Sequence, residues 1–143
     1  MKKIAVASDH AGFLLKKDIK VFLGQEEYSV IDLGPDSEES VDYPEFAHKL
    51  ANFIREEKIP GIAICGTGIG ITMAAGKLAG VRAANCTNCT MARLAREHND
   101  ANVLGLGSRL IGIELAKDIV KIFLNTKFAG GRHQNRVNQI ELT

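Results

Sequence analysis

The chain has no tryptophan and only 6% aromatic residues, so it lacks the ring platforms on which a single-strand nucleic-acid binder stacks bases. It also lacks an excess of either charge. Eighteen Lys and Arg against seventeen Asp and Glu leave a formal net charge of +1, which disfavours nucleic acid or an anionic membrane as partner. No stretch approaches the roughly 18 consecutive apolar residues of a membrane span. The opening, Met1-Lys2-Lys3 followed by Ile4 to Ala7, reaches Asp9 too soon for a secretory signal, so a soluble, cytoplasmic protein is expected. Cysteine is scarce as well. Three thiols, an odd number beside an ample core, read as reduced side chains and not as a disulfide framework. Neither an internal repeat nor a low-complexity segment is present.

What is present suits one domain over residues 1–143: at 45% hydrophobic content, such a chain buries about two thirds of the surface it exposes when unfolded. Short β-rich runs alternate with helical periodicity throughout, the pattern of βαβ units around a mostly parallel sheet. Five strands are expected, at Lys3 to Ala7, Ser29 to Leu33, Gly61 to Ile64, Val81 to Asn85 and Val103 to Leu106. Leu15, Ile19, Phe22 and Leu23 form a helical stripe at i, i+4, i+7 and i+8, with Gly24 as its stop. Phe46, Leu50, Phe53 and Ile54 repeat that spacing after Pro44, which suits a first turn, and Pro60 closes the element. Shorter helices follow at Ile71 to Lys77 and Thr90 to Glu97. Ala116, Ile119, Val120 and Phe123 mark a last long helix, and Gly130-Gly131-Arg132-His133-Gln134-Asn135-Arg136 opens a polar, basic tail.

In an open α/β sheet ligands gather beyond the carboxyl ends of the strands, which draws attention to three segments. They are Ser8-Asp9-His10, Cys65 to Gly70, and Cys86 to Cys89. Three glycines within Gly66-Thr67-Gly68-Ile69-Gly70 allow backbone N–H groups to converge on an anion at the start of a helix. The dinucleotide fingerprint fails, since its sixth position falls on Ile71 or Met73, neither a glycine. A Walker A loop fails because Gly76-Lys77 is followed by Leu78 and preceded at the required distance by Ile71. A nest for a phosphate, a carboxylate or a developing oxyanion remains, beside the plainer alternative of a tight turn. Cys65 stands at that turn, where a helix N-terminus and nearby amides favour the thiolate, a base or nucleophile; alternatively it is a small apolar residue ending a buried strand. Thr67 can donate to that sulfur or to a ligand, or cap the helix.

Asp9 and His10 can orient and transfer a proton, or form a solvated turn. His98, followed by Asn99 and Asp100, is a proton donor or a helix-end cation. Arg132 and Arg136, four apart, share a face if helical and can grip one phosphate, or belong to a solvated tail. His48 reads as a surface residue. Cys86-Thr87-Asn88-Cys89 is a lone C-x-x-C, a weak sign of a redox pair or half a zinc site.

Asp9-His10, Asp42-Tyr43-Pro44, Ile64 to Ile71, Arg96-Glu97-His98-Asn99-Asp100 and Gly130 to Arg136 together resemble the type B ribose 5-phosphate isomerases, in order and over nearly the whole chain. The related galactose 6-phosphate and allose 6-phosphate isomerases compete most closely. The resemblance implies a Rossmann-like three-layer α/β sandwich and interconversion of ribose 5-phosphate and ribulose 5-phosphate, a reaction of the pentose phosphate pathway, without metal or cofactor. It implies a homodimer or dimer of dimers with shared sites, the tail from about residue 125 reaching the neighbour. By the same resemblance Cys65 is the base, Gly66, Thr67, Gly68, Ile69 and Gly70 hold the enediolate, and His98 protonates the ring oxygen. Asp9 and Asn99 meet sugar hydroxyls, Arg132, Arg136 and His10 bind phosphate, and Tyr43 closes the pocket. One branch of the family replaces the cysteine by a glutamate at the position of Ile71, so Cys65 marks the thiol version here. The stretch Asn85 to Thr90 departs from the apolar strand end, often with tyrosine at Thr90, that the family leads one to expect. A noncatalytic sugar-phosphate sensor and a thiol module on Cys86 and Cys89 are the competing classes.

Overall fold

The computed structural model describes residues 1–142. Its elements run β1 (Lys2–Ser8), α1 (Phe13–Gln25), β2 (Tyr28–Asp32), α2 (Tyr43–Glu57), β3 (Gly61–Cys65), α3 (Ile69–Ala75), β4 (Ala83–Asn85), α4 (Cys89–Asn99), β5 (Val103–Gly107), α5 (Ile113–Asn125) and α6 (Arg132–Asn138). The five strands form one sheet in the order β2-β1-β3-β5-β4, and every pairing is parallel.

Apolar residues at successive positions explain why β1, β3 and β5 occupy the centre: in a pleated strand they load both faces, and a parallel sheet buries both. Ile4 and Val6 point to one face with Ile62, Ile64, Leu104 and Leu106, beneath α1, α4 and α5. Ala5, Ala7, Ala63 and Cys65 point to the other, beneath α2 and α3, whose Leu50, Ile54 and Ile71 complete that layer. A three-layer sandwich results. The helical stripes land as their spacing requires, with Ile19, Leu23, Leu50, Ile54, Ile119 and Val120 buried to 1% exposure or less.

Boundaries depart from the local pattern in three places. Helix α1 runs through Gly24 to Gln25. Strand β4 begins two residues late, because Arg82 turns its N–H to the Asn102 side chain at 2.7 Å and so leaves the ladder. The basic tail is no free tail: its arginines sit on α6, whose Val137 is 6% exposed and which packs on α4.

A fully buried lysine secures the end of β2. Lys16 Nζ donates to Asp32 Oδ1 at 2.9 Å and to the Pro35 carbonyl at 2.6 Å, while Lys20 reaches Asp32 Oδ2 at 2.7 Å. Asp32 Oδ1 also accepts from the Gly34 N–H at 2.9 Å. Burial pushes the Asp32 carboxyl up, but the two lysines and the amide outweigh it and hold the group below the usual carboxylate range.

Candidate active site

Strand β1 pairs with β2 on one side and β3 on the other, so the loops after β1 and β3 diverge around a crevice at the sheet's switch point. Asp9 and His10 line one wall. The Asp9 N–H donates to the Ile64 carbonyl at 3.1 Å, fixing this wall to the end of β3. Asp9 is 7% exposed, and its Oδ1 accepts from the Gly12 N–H at 3.0 Å, which leaves Oδ2 for a ligand hydroxyl. His10 Nδ1 accepts from the Val41 N–H at 3.1 Å. That bond uses Nδ1 as an acceptor and leaves Nε2 as the ring nitrogen available to donate.

The glycine turn forms the other wall. Cys65, 5% exposed, ends β3 on the α2/α3 face, and its Sγ accepts from the Gly68 N–H at 3.1 Å. An amide aimed at sulfur is the contact that an anionic thiolate exploits. Gly68 adopts φ +79°, a conformation that L side chains rarely take, and a Cβ there would meet Asn85 Oδ1 at 2.5 Å. Thr67 is exposed and does not bind the sulfur; its Oγ1 accepts from the Ile69 N–H at 3.1 Å and so organises the start of α3. Thr72 Oγ1 donates to the Gly68 carbonyl behind the turn. Two of the amides in this segment are thus spent on the turn itself, whereas those of Thr67 and Gly70 have no acceptor among the described residues. The Tyr43 ring, at the first residue of α2, lies so close to Gly70 that a Cβ there would sit 2.7 Å from it.

This geometry is shared with proteins of known family. The chain matches the family described as Ribose/Galactose Isomerase over residues 4–140. It is 52% identical to the solved ribose-5-phosphate isomerase B of Clostridium thermocellum, with a TM-score of 0.95 over 96% of this chain and 94% of that one. The solved Mycoplasma genitalium ribose-5-phosphate isomerase B with bound ribulose-5-phosphate is 44% identical, with a TM-score of 0.92 over 96% and 93% of the two chains. The ribose-5-phosphate isomerase B of Escherichia coli is 49% identical over 98% of this chain and 95% of its own length. The chain belongs to the Ribose/Galactose Isomerase family.

Not all of the residues singled out in this family member meet in one place. In a parallel sheet each helix returns against the strands, so the last turn of α4, with His98 and Asn99, lies near the start of β5. Cys65 pairs with Gly107 at the other end, and Val103 to Gly107 spans about 13 Å of strand. His98 instead stacks on His133 of α6, with ring centroids 4.4 Å apart and planes at 15°. Arg132 and Arg136 flank that pair, and both are exposed. One chain therefore carries two separate groups of candidate residues: a thiol and amide half at the C-terminal edge of the sheet, and an imidazole and guanidinium half beside α4 and α6.

Three further polar groups, of which Ser8 already lies in a segment that the strand-end rule selects, stand at the first half. Arg109 packs over the glycine turn, since a Cβ on Gly66 would lie 3.0 Å from its Nη1, and it forms no ion pair among the described residues. It follows β5, so the strand-end rule that selects Asp9 and Cys65 selects it too once the sheet order is known. Ser8 Oγ and Asn85 Oδ1 are buried without a partner among the described residues.

The C-x-x-C segment points away from thiol chemistry. Burial pushes the Cys86 thiol up to about 11, the opposite of what a redox or metal-binding cysteine needs, and Cys65, Cys86 and Cys89 are all free. Among the described residues no group of three or more His, Cys, Asp or Glu is arranged to hold a metal ion. No helix of the described residues is long and apolar enough to cross a membrane.

Proposed function

We propose that the chain interconverts D-ribose 5-phosphate and D-ribulose 5-phosphate through an enediolate, with Cys65 as the base. The observation that carries this reading is the Gly68 N–H on Cys65 Sγ at the switch point, which sets the sulfur beside unspent main-chain donors. In the aldose the thiolate takes the C2 proton, the electron pair forms the C1–C2 double bond, and negative charge collects on the C1 oxygen. Amides of the Gly66 to Gly70 turn hold that charge; the C2 hydroxyl then passes its proton to the C1 oxygen, and the thiol, whose proton exchanges with solvent, protonates C1 to give the ketose. Asp9 Oδ2 and Asn99 meet sugar hydroxyls, and Tyr43 closes the crevice.

The furanose must open first, and for this His98 gives a proton to the ring oxygen while Arg132, Arg136 and His10 hold the phosphate. Since His98, Asn99, Arg132 and Arg136 stand at the far end of their own sheet, they serve the site of a second copy of the chain. Exposed Leu14 on α1, Ile69 and Met73 on α3, Met91 on α4 and Leu110 just past β5 give a second copy apolar surface to cover. The working unit is then a homodimer or a dimer of dimers, in the cytoplasm, with no cofactor and no metal.

Replacing Cys65 with Ser tests the chemistry. Turnover of ribose 5-phosphate should fall on the order of 10²-fold to 10⁴-fold, with binding of the sugar phosphate by calorimetry nearly unchanged. Undiminished turnover in that variant removes Cys65 as the base. Allose 6-phosphate and galactose 6-phosphate, assayed beside ribose 5-phosphate, should be the poorer substrates.

A further inference from the structure

The stacked imidazoles beside α6 are not needed as a pair by the reaction just described, which calls on His98 alone. His133 lies between Arg132 and Arg136 on one face of a short helix, and its ring lies flat on His98 at 4.4 Å and 15°. The two rings come from different elements, α4 and α6, joined further by the Ala129 N–H on the Glu97 carbonyl at 3.0 Å. We propose that His133 is a positioning residue for ring opening: its flat face seats the His98 ring in the orientation that delivers a proton to the sugar.

Charge and geometry both support this assignment. Two imidazolium rings stacked face to face would repel each other. His98 occupies the last turn of α4, the helix end that welcomes a cation. His133 faces the opposite setting: desolvation first, then His98, Arg132 and Arg136, push it below its ordinary range, and only Glu97 opposes them. Glu97 is itself engaged by Arg93 at 2.9 Å, and Arg96 and Asp100 of the same helix pair with each other at 2.9 Å. Neutral His133 then offers His98 an aromatic face of the kind that attracts a cation.

The inference rests on the isomerase reading, and the experiment separates the two. In full-length enzyme, His133→Ala and His133→Phe are compared in two assays. One is turnover of ribose 5-phosphate, whose ring must open. The other is exchange of the C1 proton of ribulose 5-phosphate with solvent, which starts from an open chain. His133→Ala should lower ribose 5-phosphate turnover on the order of 10-fold to 100-fold and displace its pH profile, with exchange within about twofold of the wild type. His133→Phe keeps a flat face and should recover most of the turnover. Equal losses in both assays would make His133 a phosphate contact or a structural residue and overturn the proposal. So would a Phe variant no better than Ala, or an Ala variant with unchanged turnover. Absence of exchange in the wild type would refute the isomerase reading itself, whatever the His133 variants do.

Discussion

The two half-sites are built in opposite ways. The thiol half is made by strand ends and a glycine turn: Cys65 and Asp9 are 5% and 7% exposed, and Cys65 Sγ and Asp9 Oδ1 each accept from an amide. The imidazole and guanidinium half sits on two helix ends, where His98, Arg132 and Arg136 are exposed and the closest tie is a ring stack. A group that must hold a charge beside developing negative charge needs a dry, fixed setting, and a parallel sheet supplies it. The difference teaches that folding alone buries and fixes only one half; on the proposed reading the other, which would grasp a mobile phosphate, is completed by a second copy of the chain.

Mixing is the severest way to break that comparison. Cys65→Ala and His98→Ala should each be nearly inactive alone, yet after unfolding and refolding together they should recover about a quarter of wild-type turnover, because one site in half of the pairs is intact. No recovery would place both halves in one chain. A milder contrast comes from two glycines. Gly68→Ala forces a side chain to φ +79° and against Asn85 Oδ1, so it should cost about 1 to 2 kcal/mol of stability, read from urea unfolding. It should also lower turnover roughly tenfold or more by shifting the amide on Cys65. Gly131→Ala, at φ +56° with nothing within 4 Å, should bear only the conformational cost and keep most of its turnover.

The smallest effect on turnover is expected at Asp32, although its effect on stability is large. With its carboxyl below the usual range in the folded chain, the clasp with Lys16 and Lys20 contributes fully above pH about 4 and is lost as pH falls through the lower folded value. The wild type should therefore lose stability on acidification more steeply than Asp32→Asn. That variant, leaving Lys16 buried without its anion, should be about 3 kcal/mol less stable at pH 7 by urea unfolding. Parallel acid profiles for the two proteins would discount the clasp.

Much of this was legible in the amino-acid order. The runs Ile4 to Ala7, Gly61 to Ile64 and Val103 to Leu106 load both faces and so read as central strands, and the strand-end rule led to Asp9, His10 and the glycine turn. Helix α6 was hidden because Val137 is its only buried residue, too few for a periodic signal. Arg109 was hidden because its nearness to Gly66 depends on β5 lying beside β3, a neighbour relation that skips β4. The placement of His98 and Cys65 at opposite ends of β5, a strand about 13 Å long, was hidden for the same reason: residue types reveal chemistry, but only strand direction reveals which end of the sheet each residue occupies.

On the proposed reading, the two ends of β5 would give the chain a lock at one extremity and a key at the other. Two such chains meeting about a twofold axis would each fill the opposite lock with nothing left over, so growth would stop at a closed pair. A head-to-tail meeting would leave one lock and one key vacant at every stage and add chains without limit. The proposed closure would then follow from the antiparallel return of α4 against its strand, and loss of the twofold fit would turn a discrete catalyst into a filament.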